Sequence, residues 1–222
     1  MLERKNISPH IRFKGAINID SLSDQQIGPT CGFEALENII ELCQPAYRGR
    51  DLVRADLIGR AHGYNAVDRA GALMVQCYQR ILYDYQIVAY WYPFDHQQVL
   101  LPALSNNQGV LVIGDAHYLN PEAYRINPSL HAFVLTNYYT DGTGQVIQGY
   151  TGVDSNFSFQ QRPEQFVQGQ NYWTSEAIAQ AAQATAPLYR GLSVLVTAGR
   201  IGWPLTARFY RRIGDGVLQP VL

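Results

Sequence analysis

The stretch Gln25-Gln26-Ile27-Gly28-Pro29-Thr30-Cys31-Gly32-Phe33-Glu34 sets a thiol directly behind a turn. Gly28-Pro29 punctuates the backbone. Apolar residues then recur at Phe33, Leu36, Ile39, Ile40 and Cys43, three and four apart, which is the spacing of a helix over residues 31–43. Thr30 is placed to cap that helix. A thiol at a helix N-terminus meets unpaired N–H groups and the positive end of the dipole, and both favour the thiolate. Gln25, six residues before Cys31, can fold its amide back across the turn toward the same point. Together these residues offer a nucleophile and a donor for an oxyanion. The plainer alternative makes Cys31 a small buried hydrophobe, as free cysteines often are. A base and an acid elsewhere in the chain would decide between the two.

Both occur downstream. His131 opens the apolar run Leu130-His131-Ala132-Phe133-Val134-Leu135-Thr136-Asn137-Tyr138. Asp154 ends the strand pattern that follows the hairpin signal Asp141-Gly142. Strands joined by such a turn are neighbours, so the imidazole and the carboxylate can lie side by side. A ring holding a carboxylate on one nitrogen and a thiol on the other is the Cys/His/acid arrangement. The acid fixes the tautomer and favours the imidazolium, which in turn lowers the thiol pKa. Asn156 is a rival third residue. His117, in Asp115-Ala116-His117, is a rival base that lacks a following hairpin acid.

Gln25, Cys31-Gly32 opening a helix, His131-Ala132-Phe133-Val134-Leu135 on a strand and Asp154 after a hairpin resemble the papain-like cysteine peptidases. The bacterial branch that includes the leader-cleaving peptidases of bacteriocin exporters is the nearer likeness, because its third residue is usually Asp. The strand pattern at 109–113 is also similar to that branch. The likeness covers roughly residues 20–160. It implies an α+β fold with a helical left lobe, an antiparallel β right lobe and the cleft between them. It also implies Cys31 as nucleophile, His131 as general base and acid, Asp154 as orienting residue, and Gln25 with the Cys31 N–H as oxyanion donors. Gly32 and Phe33 would border the substrate, together with the segment Tyr118–Ser129. The family often has a small residue or Pro where Phe33 stands, and a Pro where Ser155 follows the acid. A selective site, narrowed beside Cys31, is therefore expected.

The elements needed to position these groups are legible in outline. A short helix is expected at about 52–60 and a second from Val67 to Tyr83, with Ala70, Leu73, Met74, Cys77, Tyr78, Ile81 and Leu82 as its apolar set. Residues 87–92 read as a core strand and 95–104 as a third helix. Strands follow at 109–114, 130–138, 145–150 with 153–154, and 192–196, with a helix at 175–186 and a loop over 155–173. Residues 1–24 read as an arm with a short strand at 11–13. The passage from helical to strand pattern near residue 105 predicts one α+β domain over 1–222, its helical lobe at about 25–105 and its β lobe at about 106–222.

Composition narrows the function classes. With 47% hydrophobic and 16% charged residues the chain is globular, and a formal net charge of −1 provides no basic footprint for nucleic acid. No run approaches the roughly 20 apolar residues of a membrane span. The three cysteines Cys31, Cys43 and Cys77 form neither a disulfide framework nor a metal spacing, so no metal and no cofactor are expected. Cys43 and Cys77 read as core residues. Without a signal-peptide pattern, the expected location is the cytoplasm, or another cell reached by non-classical delivery. Two function classes remain. One is a thiol-dependent amide hydrolase on a peptide or protein, or the glutamine deamidase or transglutaminase-type acyl transfer that the same triad supports. The other is a catalytically silent binding module on the same scaffold. The sequence leaves the oligomeric state open.

Overall fold

The computed structural model describes residues 30–44, 52–121, 130–140, 147–154, 166–167, 170–200, 210–213 and 217–220. The expected strand at 11–13 and the position of Gln25 lie outside them. Helix α1 spans Cys31–Cys43, as its apolar spacing predicts. Leu36, Ile39, Ile40 and Leu42 on it are each at most 1% exposed. Burial of each such side chain favours the fold by about 1.5–3 kcal/mol. Thr30 occupies the cap position, but its side chain makes no capping bond; its carbonyl accepts from the N–H groups of Phe33 and Glu34 instead.

Helix α2 (Leu52–Gly63) follows. The expected helix over 67–83 divides in two. Val67 and Leu73 bridge as antiparallel partners around a turn in which the Asp68 carboxylate accepts from the N–H groups of Ala70 and Ala72. Gly71 sits there at φ 88°, a conformation open to glycine. Only from Val75–Cys77, a 3-10 turn, into α3 (Tyr78–Asp84) does the helix form. An Asp side chain satisfying two backbone donors outcompetes a helix that the apolar spacing alone would allow.

A seven-stranded antiparallel sheet runs through the centre. Its strands are β1 (Ala89–Pro93), β2 (Gln108–Asp115), β3 (Leu130–Thr140), β4 (Ile147–Val153), β5 (Phe166–Val167), β6 (Gln170–Thr174) and β7 (Leu192–Arg200), in the order β1-β7-β2-β3-β4-β6-β5. A π-helical turn (His96–Leu100) leads into α4 (Leu101–Ser105), α5 covers Ala116–Leu119, and α6 (Ser175–Thr185) ends in a 3-10 turn at Ala186–Tyr189. Strands β8 (Tyr210–Ile213) and β9 (Val217–Pro220) form a separate hairpin.

Alternate residues of the central strands feed two cores. Leu111, Ile113, Ala132, Val134 and Leu195 face α1, α2 and α3. Val110, Val112, Phe133, Leu135, Val194 and Val196 face α4, α5 and α6. Strands apolar on both faces are the mark of a sheet covered on both sides. The coarse expectation of α+β therefore holds, with a different layering. The division does not fall at residue 105, because α4 packs in the second core and β1 joins the sheet through β7. The aromatic run at 90–92, expected in the core, lies instead on the edge strand β1, where Tyr90 is 51% and Tyr92 39% exposed.

Candidate active site

Cys31 is the first residue of α1 and is partly exposed. His131 is the second residue of β3, and Asp154 follows the last residue of β4. The strand register explains how the last two meet. Val134 pairs with Val153, so continuing the antiparallel ladder sets Asp154 opposite Phe133 and makes His131 its diagonal neighbour on the same face. The His131 Nε2 lies 2.7 Å from the Asp154 Oδ1, and both side chains are at most 2% exposed. The residue paired with His131 on β2 is Gly114, above which Ala181 of α6 packs closely. The Phe133 ring stacks on the imidazole at 6.2 Å and is itself held by Trp173 at 5.1 Å. The imidazole is thus fixed on one nitrogen by a carboxylate and on its face by a packed aromatic.

The other partner of the ring is the Cys31 thiol, which hydrogen-bonds to it. With Nε2 committed to Asp154, Nδ1 is the nitrogen left for sulphur. Burial works against a thiolate at Cys31, but the His131 hydrogen bond and charge outweigh it. The Ala132 N–H adds to them, Asp154 opposes, and the net result is a lowered thiol pKa. Burial likewise works against an imidazolium at His131. The Asp154 charge and hydrogen bond, followed by those of Cys31, outweigh it and raise the ring's pKa above its ordinary value. Shifts in these two directions favour a thiolate–imidazolium pair near neutral pH. Cys43 is the contrast within the same chain: burial pushes its thiol up to about 11 despite a hydrogen bond to Thr197.

Two contributors escaped the sequence reading. One is the Ala132 backbone N–H, which bonds to the Cys31 sulphur; a residue directly after the histidine on a strand was the available signal. The other is Tyr78, assigned by its spacing to a helix core. It is 2% exposed and packs against Trp91, with its hydroxyl in the space that a side chain on Gly32 would need. Burial, then the negative charge at Cys31, then Tyr189 raise the Tyr78 pKa well above its ordinary value, so this hydroxyl stays protonated. Gly32 accordingly makes room for Tyr78 and Leu73.

Phe33 is 4% exposed and belongs to the core beneath α1 and α2, where it also lines a cavity. His117 is half-buried on α5, its N–H bonded to Asp115, while the histidine paired with Cys31 is His131. His96 is half-buried with its Nδ1 2.5 Å from the Tyr150 hydroxyl. Gln25, Asn156 and residues 122–129 of the segment expected to border the cleft lie outside the described residues. Among the described residues no group of three or more His, Cys, Asp or Glu side chains is arranged to hold a metal, and no helix is long and apolar enough to cross a membrane. No protein-family model matches the chain, and no curated protein sequence matches it either.

Proposed function

We propose that the chain is a selective, papain-like cysteine peptidase working through Cys31, His131 and Asp154. The observation that carries this reading is the buried Asp154–His131 pair set against a thiol at the start of α1. In this reading the Cys31 thiolate attacks the amide carbonyl carbon, a C–S bond forms, and the carbonyl electron pair moves to oxygen. The resulting oxyanion takes a hydrogen bond from the Cys31 N–H at the helix start, with Gln25 as the side-chain donor. His131 gives its proton to the amide nitrogen, the C–N bond breaks, and the amine leaves a thioester. Water then attacks the thioester carbonyl, giving a proton to His131. The C–S bond breaks, releasing the carboxylic acid and restoring the thiolate and imidazolium. Asp154 holds the ring on Nε2 throughout and stabilises its charged form.

The test pairs the wild type with Cys31→Ser, offered denatured casein and a panel of short fluorogenic peptides. Turnover of a few peptides, abolished in Cys31→Ser, is expected. Rapid cleavage of casein at many unrelated sites would overturn the selectivity, and turnover that survives Cys31→Ser would overturn the mechanism.

A further inference from the structure

The Cys31 sulphur meets two partners on β3 at once, the His131 ring and the Ala132 N–H. Bonds of this kind hold a reacting group only if it stays within roughly 0.5 Å of its place, and that in turn needs neighbours locked by packing. The usual device for fixing a helix start is absent, since the Thr30 side chain makes no capping bond.

The first turn is braced from α3 instead. Tyr78, the first residue of that helix, is 2% exposed. Its hydroxyl crowds the place of a Cβ on Gly32, its Cζ lies 3.1 Å from that place, and the Leu73 Cβ lies at 3.3 Å. Gly32 follows Cys31 directly, about 3.8 Å away from Cα to Cα. Successive residues of a helix point about 100° apart, so Tyr78 meets the turn from a different side than β3 does. The start of α1 is thus held between a phenol and a strand. The phenol is itself fixed, with its ring 6.1 Å from that of Trp91 and set among the core residues of the helical layer. The charge of Cys31 also reaches it: after burial, that charge is the largest cause of the raised Tyr78 pKa.

We infer that Tyr78 is a positioning residue for the reaction: by bearing on Gly32 from α3 it keeps the first turn of α1, and with it the Cys31 sulphur, at hydrogen-bond distance from His131. The inference rests on the reading of Cys31 as the nucleophile. Gly32 and Tyr78 act as a matched pair, the absent side chain of one making room for the hydroxyl of the other. Without that oxygen the turn is free to shift toward α3. The thiolate then loses part of the support that His131 gives it.

The experiment follows iodoacetamide modification of Cys31 and Cys43 against pH, peptide by peptide in a mass spectrometer, with a thermal melt of each variant. Tyr78→Phe removes only the oxygen. It is expected to raise the midpoint of the Cys31 profile by at least about half a pH unit, about a threefold loss of thiolate below the midpoint, while the Cys43 profile stays in place. Tyr78→Phe combined with Gly32→Ala puts a methyl group into the vacated space, 3.1 Å from the ring carbon, and is expected to bring the Cys31 midpoint back toward that of the wild type. A merely structural role would lower the melting temperature and leave the Cys31 midpoint where it was. That result, with Cys31 still the faster thiol, overturns the positioning role and leaves the nucleophile standing. A midpoint that moves equally for Cys43, or one that the paired substitution fails to bring back, also overturns it. Wild-type Cys31 modified no faster than Cys43 at pH 7 overturns the nucleophile assignment and the positioning role together.

Discussion

Replacing His131 with Asn removes the main difference between the two thiols of α1. Cys31 and Cys43 stand at opposite ends of the helix, one titrating below the ordinary 9.0 and the other at about 11. At pH 7 about one Cys43 in 10⁴ is thiolate, against more than about one Cys31 in 10². Lower basicity costs intrinsic reactivity: with a Brønsted slope of about 0.4–0.5, a hundredfold fall in basicity removes a factor of about 6–10. The net expectation is that iodoacetamide modifies Cys31 at least about 10-fold faster than Cys43 at pH 7. The sign follows from the causes. The Cys31 pKa is depressed, so its labelling persists as pH falls toward that lowered value, whereas Cys43 gains reactivity only as pH climbs toward 11. In His131→Asn the ring's lowering hydrogen bond and charge are gone, while burial and the Asp154 charge, which raise the Cys31 pKa, remain against the Ala132 N–H alone. The labelling curve of Cys31 must then move to higher pH, toward that of Cys43. The assay is a rate–pH profile read peptide by peptide in the mass spectrometer. Equal rates at the two thiols at pH 7, or a Cys31 curve that His131→Asn leaves in place, would refute the electrostatic argument.

Two further expectations follow from the packing. Asp154→Ala should lower turnover far more than Asn156→Ala, because the 2.7 Å bond to His131 Nε2 comes from Asp154; equal losses measured as kcat/KM would reassign the third residue. Gly32→Ala forces a methyl group into the Tyr78 hydroxyl and to 3.3 Å from Leu73 Cβ, so it should destabilise by about 1–3 kcal/mol in a urea titration, and Tyr78→Phe should recover part of that loss by removing the obstructing oxygen.

What the sequence made legible was local. The bounds of α1 follow from five apolar positions and the Gly28-Pro29 turn, and the meeting of His131 with Asp154 follows from one hairpin signal. What it hid was long-range or depended on a single competing bond. The helix expected over 67–83 loses its first half to the Asp68 carboxylate, which no periodicity reveals. The pairing of β7 with both β1 and β2 joins segments about 100 residues apart, and nothing in the run at 192–196 names its partners. The run at 109–114 is apolar almost without interruption, and in the sheet it is covered on both faces.

The place of β7 also dictates an order of events at the ribosome. It is the last strand of the main sheet to be made, yet it lies between β1 and β2. Until residue 200 has emerged, β1 has no neighbour, Val110 and Val112 lack Val194 and Val196 beside them, and the sheet that carries His131 ends in an open edge. At about 5–20 residues per second, the stretch from β2 to the end of β7 takes roughly 5–20 seconds to synthesise. From the synthesis of His131 to that of Arg200, Cys31 and His131 exist as chemical groups without the completed sheet that holds the histidine in register. Completion of the sheet that holds His131 in register is thus a late event in the life of each new chain, and a nick that releases β7 would return the molecule to that earlier state.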